Sequence, residues 1–293
     1  MVGGRMGMLH RSKNLEIHVV DHCNLDCVAC SHESPLMVRR LEDPDRLAKA
    51  LSTLWRHYRA PLIKLLGGEP LLHPGISDVI RVVRAATGAR IRVVTNGTML
   101  GRRYSLLRGV DEIHVSSYPG VTIPSDDELF QAAADLEAPI TVESFDAFRW
   151  HRSPKRDDPE LTDRIFKACQ LYNSWQCHTL RSGWFYPCPQ SATWGSEEDG
   201  FDLLTPDQDV AAALDRLLLR DHALTTCATC LGSVGQLLPH RRGWRGDTEG
   251  HASSRVDHTF LTLLEKMPDA WNECYEYRRT LHPSGRVELL SGA

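Results

Sequence analysis

The sequence lacks a continuous apolar run where a signal peptide or first membrane span would stand: Met1 to Lys13 is broken by glycine, arginine and lysine. It lacks a dominant charge, with 34 Lys and Arg against 38 Asp and Glu and a formal net charge of −4, so a general nucleic-acid or membrane-surface binder is not expected. No internal repeat is visible. A disulfide framework is disfavoured too, because the nine cysteines are odd in number and unevenly clustered. Such thiols fit metal ligation in a reducing cytoplasm, and the expected location is cytoplasmic.

At 293 residues, 42% of them hydrophobic and 25% charged, the chain can bury a full core. Short apolar runs at Leu15 to Val20, Pro61 to Leu66, Ile91 to Thr95, Asp111 to Ser116 and Ile140 to Ser144 read as strands. Helical patterns lie between them. One starts at Asp43 and Pro44 with Leu47, Leu51, Leu54 and Trp55 on a face; another follows Pro74 and stops near Gly88; a third follows the capping box of Ser125 and Glu128. This βα order predicts an α/β fold with a parallel sheet whose ligands gather at the C-terminal strand ends.

After about residue 150 the rhythm fails, and Trp175 to Leu180 with Trp184 to Cys188 reads as a hairpin turning at Ser182 and Gly183. The expected organisation is a flexible lead-in (1–13), a core (14–150), a second domain with a hairpin and helices (151–235), and an exposed loop followed by a C-terminal helix (236–293). The loop, Pro239 to Asp257, includes Arg241 to Arg245, which are expected to remain solvated.

Cys23, Cys27 and Cys30 follow the first strand with the spacing CxxxCxxC. Three thiolates fit three irons of a [4Fe–4S] cluster and leave the fourth iron open, whereas a structural zinc prefers four protein ligands. CNLDCVAC after the first strand and GGEP at Gly67 to Pro70 after the second together resemble the radical S-adenosylmethionine (SAM) superfamily over about residues 15 to 145.

The resemblance implies a partial (β/α)6 barrel with a cluster and SAM at its mouth, reductive SAM cleavage to a 5′-deoxyadenosyl radical, and a flavodoxin or ferredoxin as electron donor. It assigns cofactor binding to Gly67, Gly68, Glu69 and Pro70, and to the strand-end residues Thr95, Asn96, Ser116, Ser117, Glu143 and Ser144. One departure is Ala29, where the family often places an aromatic residue against adenine. His32 is a nearby candidate for that contact.

Cys169, Cys188 and the CxxC pair Cys227 and Cys230 form a second set, able to close a second [4Fe–4S] cluster or to bind zinc. Their spacing around Gly183 resembles the shortened auxiliary-cluster domain called twitch, a relative of SPASM. Cys177 competes with Cys169 for a ligand position. Cys177 and Cys274 are otherwise spare, and either is a candidate hydrogen-atom donor to a substrate radical.

Twitch-bearing relatives modify sugars and aminocyclitols in antibiotic biosynthesis. The expected substrate is therefore carbohydrate-like, an aminoglycoside, aminocyclitol or nucleoside, undergoing epimerisation or dehydrogenation. Asp146, Arg149, His151, His178 and Gln190 are candidates to line its pocket. The barrel begins within the first fifteen residues, which leaves little room for a leader-binding domain and makes a peptide-modifying enzyme the alternative. A non-catalytic iron–sulfur or zinc redox module is a further alternative.

Overall fold

A computed structural model describes residues 9–205, 209–244, 255–270 and 277–291. Cys274 and residues 1–8 lie outside them. Alternation along the chain sets the architecture. In β2 (Asn14–Val20), Leu15, Ile17 and Val19 are fully buried on one face while Glu16 and His18 point to the other. The short β1 (His10–Arg11) pairs parallel with β3 (Tyr58–Arg59), so part of the expected lead-in is tied to the core.

Helix α1 (Pro44–Leu54) starts where Asp43 accepts from the amides of Asp45 and Arg46, and buries Leu47, Leu51 and Leu54. β4 (Leu62–Gly67) leads to α2 (Ile76–Thr87), which ends on left-handed Gly88. β5 (Arg90–Thr95), α3 (Leu100–Arg103), β6 (Glu112–Ser117), α4 (Asp126–Leu136) and β7 (Ile140–Ser144) continue the alternation, and the Ser125–Glu128 capping box forms in full. The apolar faces of strands and helices share one core. Each buried leucine there contributes roughly 1.5–3 kcal/mol.

β8 (Ala147–Arg149), α5 (Pro159–Ala168) and α6 (Gln170–Asn173) then cross to a hairpin of β9 (Cys177–Arg181) and β10 (Trp184–Tyr186). It turns at Ser182 and Gly183, both with positive φ, as the Ser-Gly pair requires. α7 (Pro189–Trp194), β11 (Phe201–Asp202), α8 (Val210–Leu218), β12 (Leu237–Pro239), α9 (His258–Lys266), β13 (Tyr277–Leu281) and β14 (Val287–Ser291) complete the described elements. Among the described residues, no helix is long and apolar enough to cross a membrane.

One ten-stranded sheet runs β11-β10-β9-β2-β4-β5-β6-β7-β13-β14, with the six strands from β9 to β7 parallel. This is the mostly parallel sheet of a partial barrel, with C-terminal strands and helices added. Two expectations need revision. The hairpin expected in a separate unit joins the main sheet through β9 and β2. The C-terminal region holds α9 but also the β13–β14 hairpin, which extends β7 antiparallel. Its YRRTL sequence hides the strand because Arg278 and Thr280 face polar partners, Glu143 and Thr141, across the pairing.

Candidate active site

The mouth lies where the parallel strands end. β2 runs into the CxxxCxxC loop, where Ala29 and Glu33 both take the left-handed backbone conformation. Cys23 Sγ accepts from the Leu25 amide at 3.3 Å and from Asn96 Nδ2 at 3.5 Å, and His240 Nε2 lies 3.2 Å from Cys27 Sγ. Burial pushes the Cys23 thiol up to about 11 and the Cys27 thiol up to about 12, and the neighbouring thiols of the set add to both shifts. Burial raises Cys30 as well, against amide hydrogen bonds from His32 and Ser34. Thiols so raised become ligands when a cation takes the place of their protons.

GGEP is built against this loop. The Gly68 amide donates to Val20 O at 2.7 Å and the Glu69 amide to His22 O at 3.1 Å. A Cβ on Gly68 would stand 1.9 Å from His22 O, and one on Gly67, with φ +124°, 2.3 Å from Val20 O. The glycines thus have a packing reason: two backbones meet here. Glu69 is fully buried and accepts from the amides of Leu71 at 2.9 Å and Asn96 at 2.8 Å, and from Thr95 Oγ1 at 2.7 Å. Its carboxyl is raised by burial, and these three donors work against the shift. Pro70 opens a buried turn directly after it.

Ser116 stands opposite Glu143, and Ser117 opposite Ser144, at the ends of β6 and β7. Glu143 pairs with Arg278 at 2.6 Å and lies 3.8 Å from His114, partners that carry no local sequence signal. Thr95, Asn96 and these four residues all lie along the mouth, as the βα order anticipates.

Cys169, Cys188, Cys227 and Cys230 line one cavity, together with Tyr172 and Gln190. Cys177 is not among its lining residues. It pairs with Asn14 at the start of β2, about 20 Å of strand below the mouth at roughly 3.3 Å per residue, beside Glu16 and Lys64. The cavity thus gathers Cys169 and not Cys177, which stands at the opposite end of the strands from the mouth. Cys274, the other candidate donor, lies outside the described residues.

The second site fits an all-thiolate group. Gly232 has φ +52°, its amide donates to Cys230 Sγ at 3.2 Å, and a Cβ on it would stand 3.1 Å from Cys169 Sγ. Arg156 clamps the CxxC loop, donating to the carbonyls of Cys227 and Cys230. Asp199 accepts from the amides of Thr225 and Thr226 just before it. Burial holds all four thiols up, Cys188 to about 12. Among the described residues, no three His, Cys, Asp or Glu side chains converge as ligands of a single ion would. Four thiols on one cavity suit either an iron–sulfur cluster or a tetrahedral zinc.

A cleft beside Cys30 is lined by Ala29, Glu33, His151 and Arg152 together with Trp150, Trp194 and Trp244. Arg152 pairs with Glu33, reaches over the Trp194 ring at 5.4 Å and bridges in backbone to Cys230. His151 Nδ1 meets Gly232 O at 2.9 Å, and burial lowers its pKa to about 4, so the ring is neutral. Trp194 Nε1 and His32 Nε2 are buried, with no hydrogen-bond partner among the described residues. The His32 ring stands edge-on to His18, with centroids 4.9 Å apart.

Of the five residues expected to line a substrate pocket, His151 lies in this cleft. His178 instead bonds Tyr58 Oη at 2.9 Å in the core behind the sheet, and Gln190 lines the second thiol cavity. Arg149 donates to Gly235 O and lies over Phe260, and the Asp146 carbonyl accepts from the His240 amide. Glu33, Arg152, Trp194 and Trp244 escape sequence reading because their contacts join segments far apart in the chain. At the start of the expected loop Arg241 and Arg242 are exposed, as expected, while Trp244 is buried and the Arg242 backbone bridges to that of Cys27.

The family model described as Radical SAM superfamily matches residues 17–170, more than half of the chain. The chain belongs to the radical SAM superfamily. Among curated relatives of this radical SAM protein is the GTP 3′,8-cyclase of Chlorobaculum tepidum, 32% identical over 106 residues, covering 35% of this chain and 32% of the relative. The GTP 3′,8-cyclase of Heliobacterium modesticaldum is 36% identical over 112 residues, covering 35% and 33%. The chain thus spans about a third of the length of these relatives. Among solved structures, BtrN in complex with AdoMet and 2-DOIA covers 76% of this chain and 94% of its own, at 17% identity and a TM-score of 0.49. Streptococcus suis SuiB bound to S-adenosylmethionine covers 72% and 68%, at 12% identity and a TM-score of 0.41.

Proposed function

We propose that this radical SAM enzyme dehydrogenates a carbon of a carbohydrate-like substrate, an aminocyclitol, aminosugar or nucleoside, bound in the cleft beside Cys30. The observation that carries this reading is the position of His151 and Arg152, in one cleft with Cys30 and joined through Gly232 and a backbone bridge to Cys230.

When bound, a [4Fe–4S] cluster with SAM supplies the 5′-deoxyadenosyl radical that abstracts hydrogen, and a second cluster supplies an electron acceptor. Cys23, Cys27 and Cys30 hold the first, and Cys169, Cys188, Cys227 and Cys230 close the second. Trp150, Trp194 and Trp244 give the cleft an aromatic lining against which an apolar ring face can rest. Neutral His151 is fitted to take a hydroxyl proton, and the Glu33–Arg152 pair to orient hydroxyl or amino groups. Four cysteines on one cavity favour oxidation over epimerisation, since the second site then has no ligand position open and Cys177 is remote.

The test is anaerobic incubation of reconstituted enzyme with SAM, reductant and a panel of C-deuterated aminocyclitols, aminosugars and nucleosides. A keto product two mass units below its substrate's protium form, with one deuterium in 5′-deoxyadenosine, is expected. Turnover of none of the three classes, or an inverted product of unchanged oxidation state, counts against the reading.

A further inference from the structure

We infer that His240 is a positioning residue for the first cluster site: its Nε2–H donates to the sulfur of Cys27 and makes the bound cluster easier to reduce. This goes beyond the substrate reading and rests only on superfamily membership. His240 sits on a strap from Leu237 to Trp244 that crosses the CxxxCxxC loop. β12 within the strap pairs with β8. The Val28 amide donates to Arg241 O at 2.9 Å, the Gly243 and Trp244 amides donate to Asp26 O at 3.0 Å, and Arg242 pairs with Asp26 at 3.1 Å.

Within this strap His240 is held by one backbone and two ring contacts. Its backbone amide donates to Asp146 O at 2.6 Å. Its ring stacks on Tyr118, with centroids 4.8 Å apart and planes 9° apart, and meets Phe148 edge-on at 5.2 Å. These contacts bring Nε2 to 3.2 Å from Cys27 Sγ. A ligating thiolate only accepts, so the tautomer with hydrogen on Nε2 is the one the contact selects. A donor on a ligating sulfur withdraws negative charge from the cluster and favours its reduced form.

The experiment compares wild type, H240F and H240Q, each reconstituted anaerobically, by iron content and by EPR-monitored redox titration of the first cluster in a Cys169→Ala background. Phe keeps the ring packing without a donor, and Gln keeps a donor. Equal iron, a more negative midpoint in H240F and a near wild-type midpoint in H240Q are expected. Equal midpoints in all three, or equal shifts in both variants, overturn the inference. Pulsed EPR on otherwise wild-type protein labelled with 15N-histidine needs no stable Phe variant: a nitrogen coupling lost in H240Q is expected, and its absence from wild type also overturns the inference. Substrate oxidation enters neither readout, so this test and that of the proposed function fail separately.

Discussion

The Glu69 carboxylate accepts the backbone amide of Asn96 at 2.8 Å, and the Asn96 side chain reaches Cys23 Sγ at 3.5 Å. GGEP thereby ties the end of β5 to the first cysteine. In Glu69→Gln an amide nitrogen replaces one oxygen of a fully buried acceptor pair and leaves a donor facing a donor. A loss of about 1–3 kcal/mol in unfolding free energy is expected, with reduced iron uptake at the first site. Denaturant titration and iron analysis check both, and an unchanged midpoint contradicts the tie.

Gly68→Ala places its Cβ against the backbone oxygen of His22, whereas Gly88→Ala meets nothing within 4 Å and suffers only the cost of φ +62°. Gly88→Ala should cost about 1–2 kcal/mol and keep full iron. Gly68→Ala should displace the CxxxCxxC loop and lose the iron of the first site. Equal iron in the two variants argues against close backbone contact at GGEP.

Cys169→Ala should lower iron from about eight to about four per chain, and Cys177→Ala should leave it at about eight. Cys177→Ala should also leave 5′-deoxyadenosine formation intact, because the thiol lies at the far end of the strands. The opposite iron pattern would exchange the two ligands.

The His114 ring 3.6 Å from Glu112, with Arg92 at 3.1 Å, holds the Glu112 carboxyl down at about 2. A carboxyl depressed on folding stabilises the protein above its unfolded pKa of about 4.3, and that stability is lost as pH falls toward about 2. Glu112→Gln should therefore be less stable than wild type at pH 7, with the gap closing between about pH 4 and 2. A gap independent of pH contradicts the assignment.

Much of the barrel is legible in the sequence because its strands carry alternating apolar residues and three of its helices have a local cap: Asp43 for α1, Gly88 for α2, and Ser125 with Glu128 for α4. The first thiol set is legible because its three cysteines sit in one loop. The cleft is not. Glu33 and Arg152 meet only after the sheet has formed, and neither carries a local signal; His240 likewise reaches the legible Cys27 with no signal of its own. β13 escapes notice for a different reason: its inner positions, Arg278 and Thr280, answer polar residues of β7, so the usual apolar alternation is absent.

The most direct test of the account is iron and acid-labile sulfide per chain after anaerobic reconstitution, with 5′-deoxyadenosine formed by the same sample under dithionite and SAM. About eight irons with SAM cleavage are expected for a radical enzyme with two all-thiolate clusters. Iron near zero with no 5′-deoxyadenosine would contradict it.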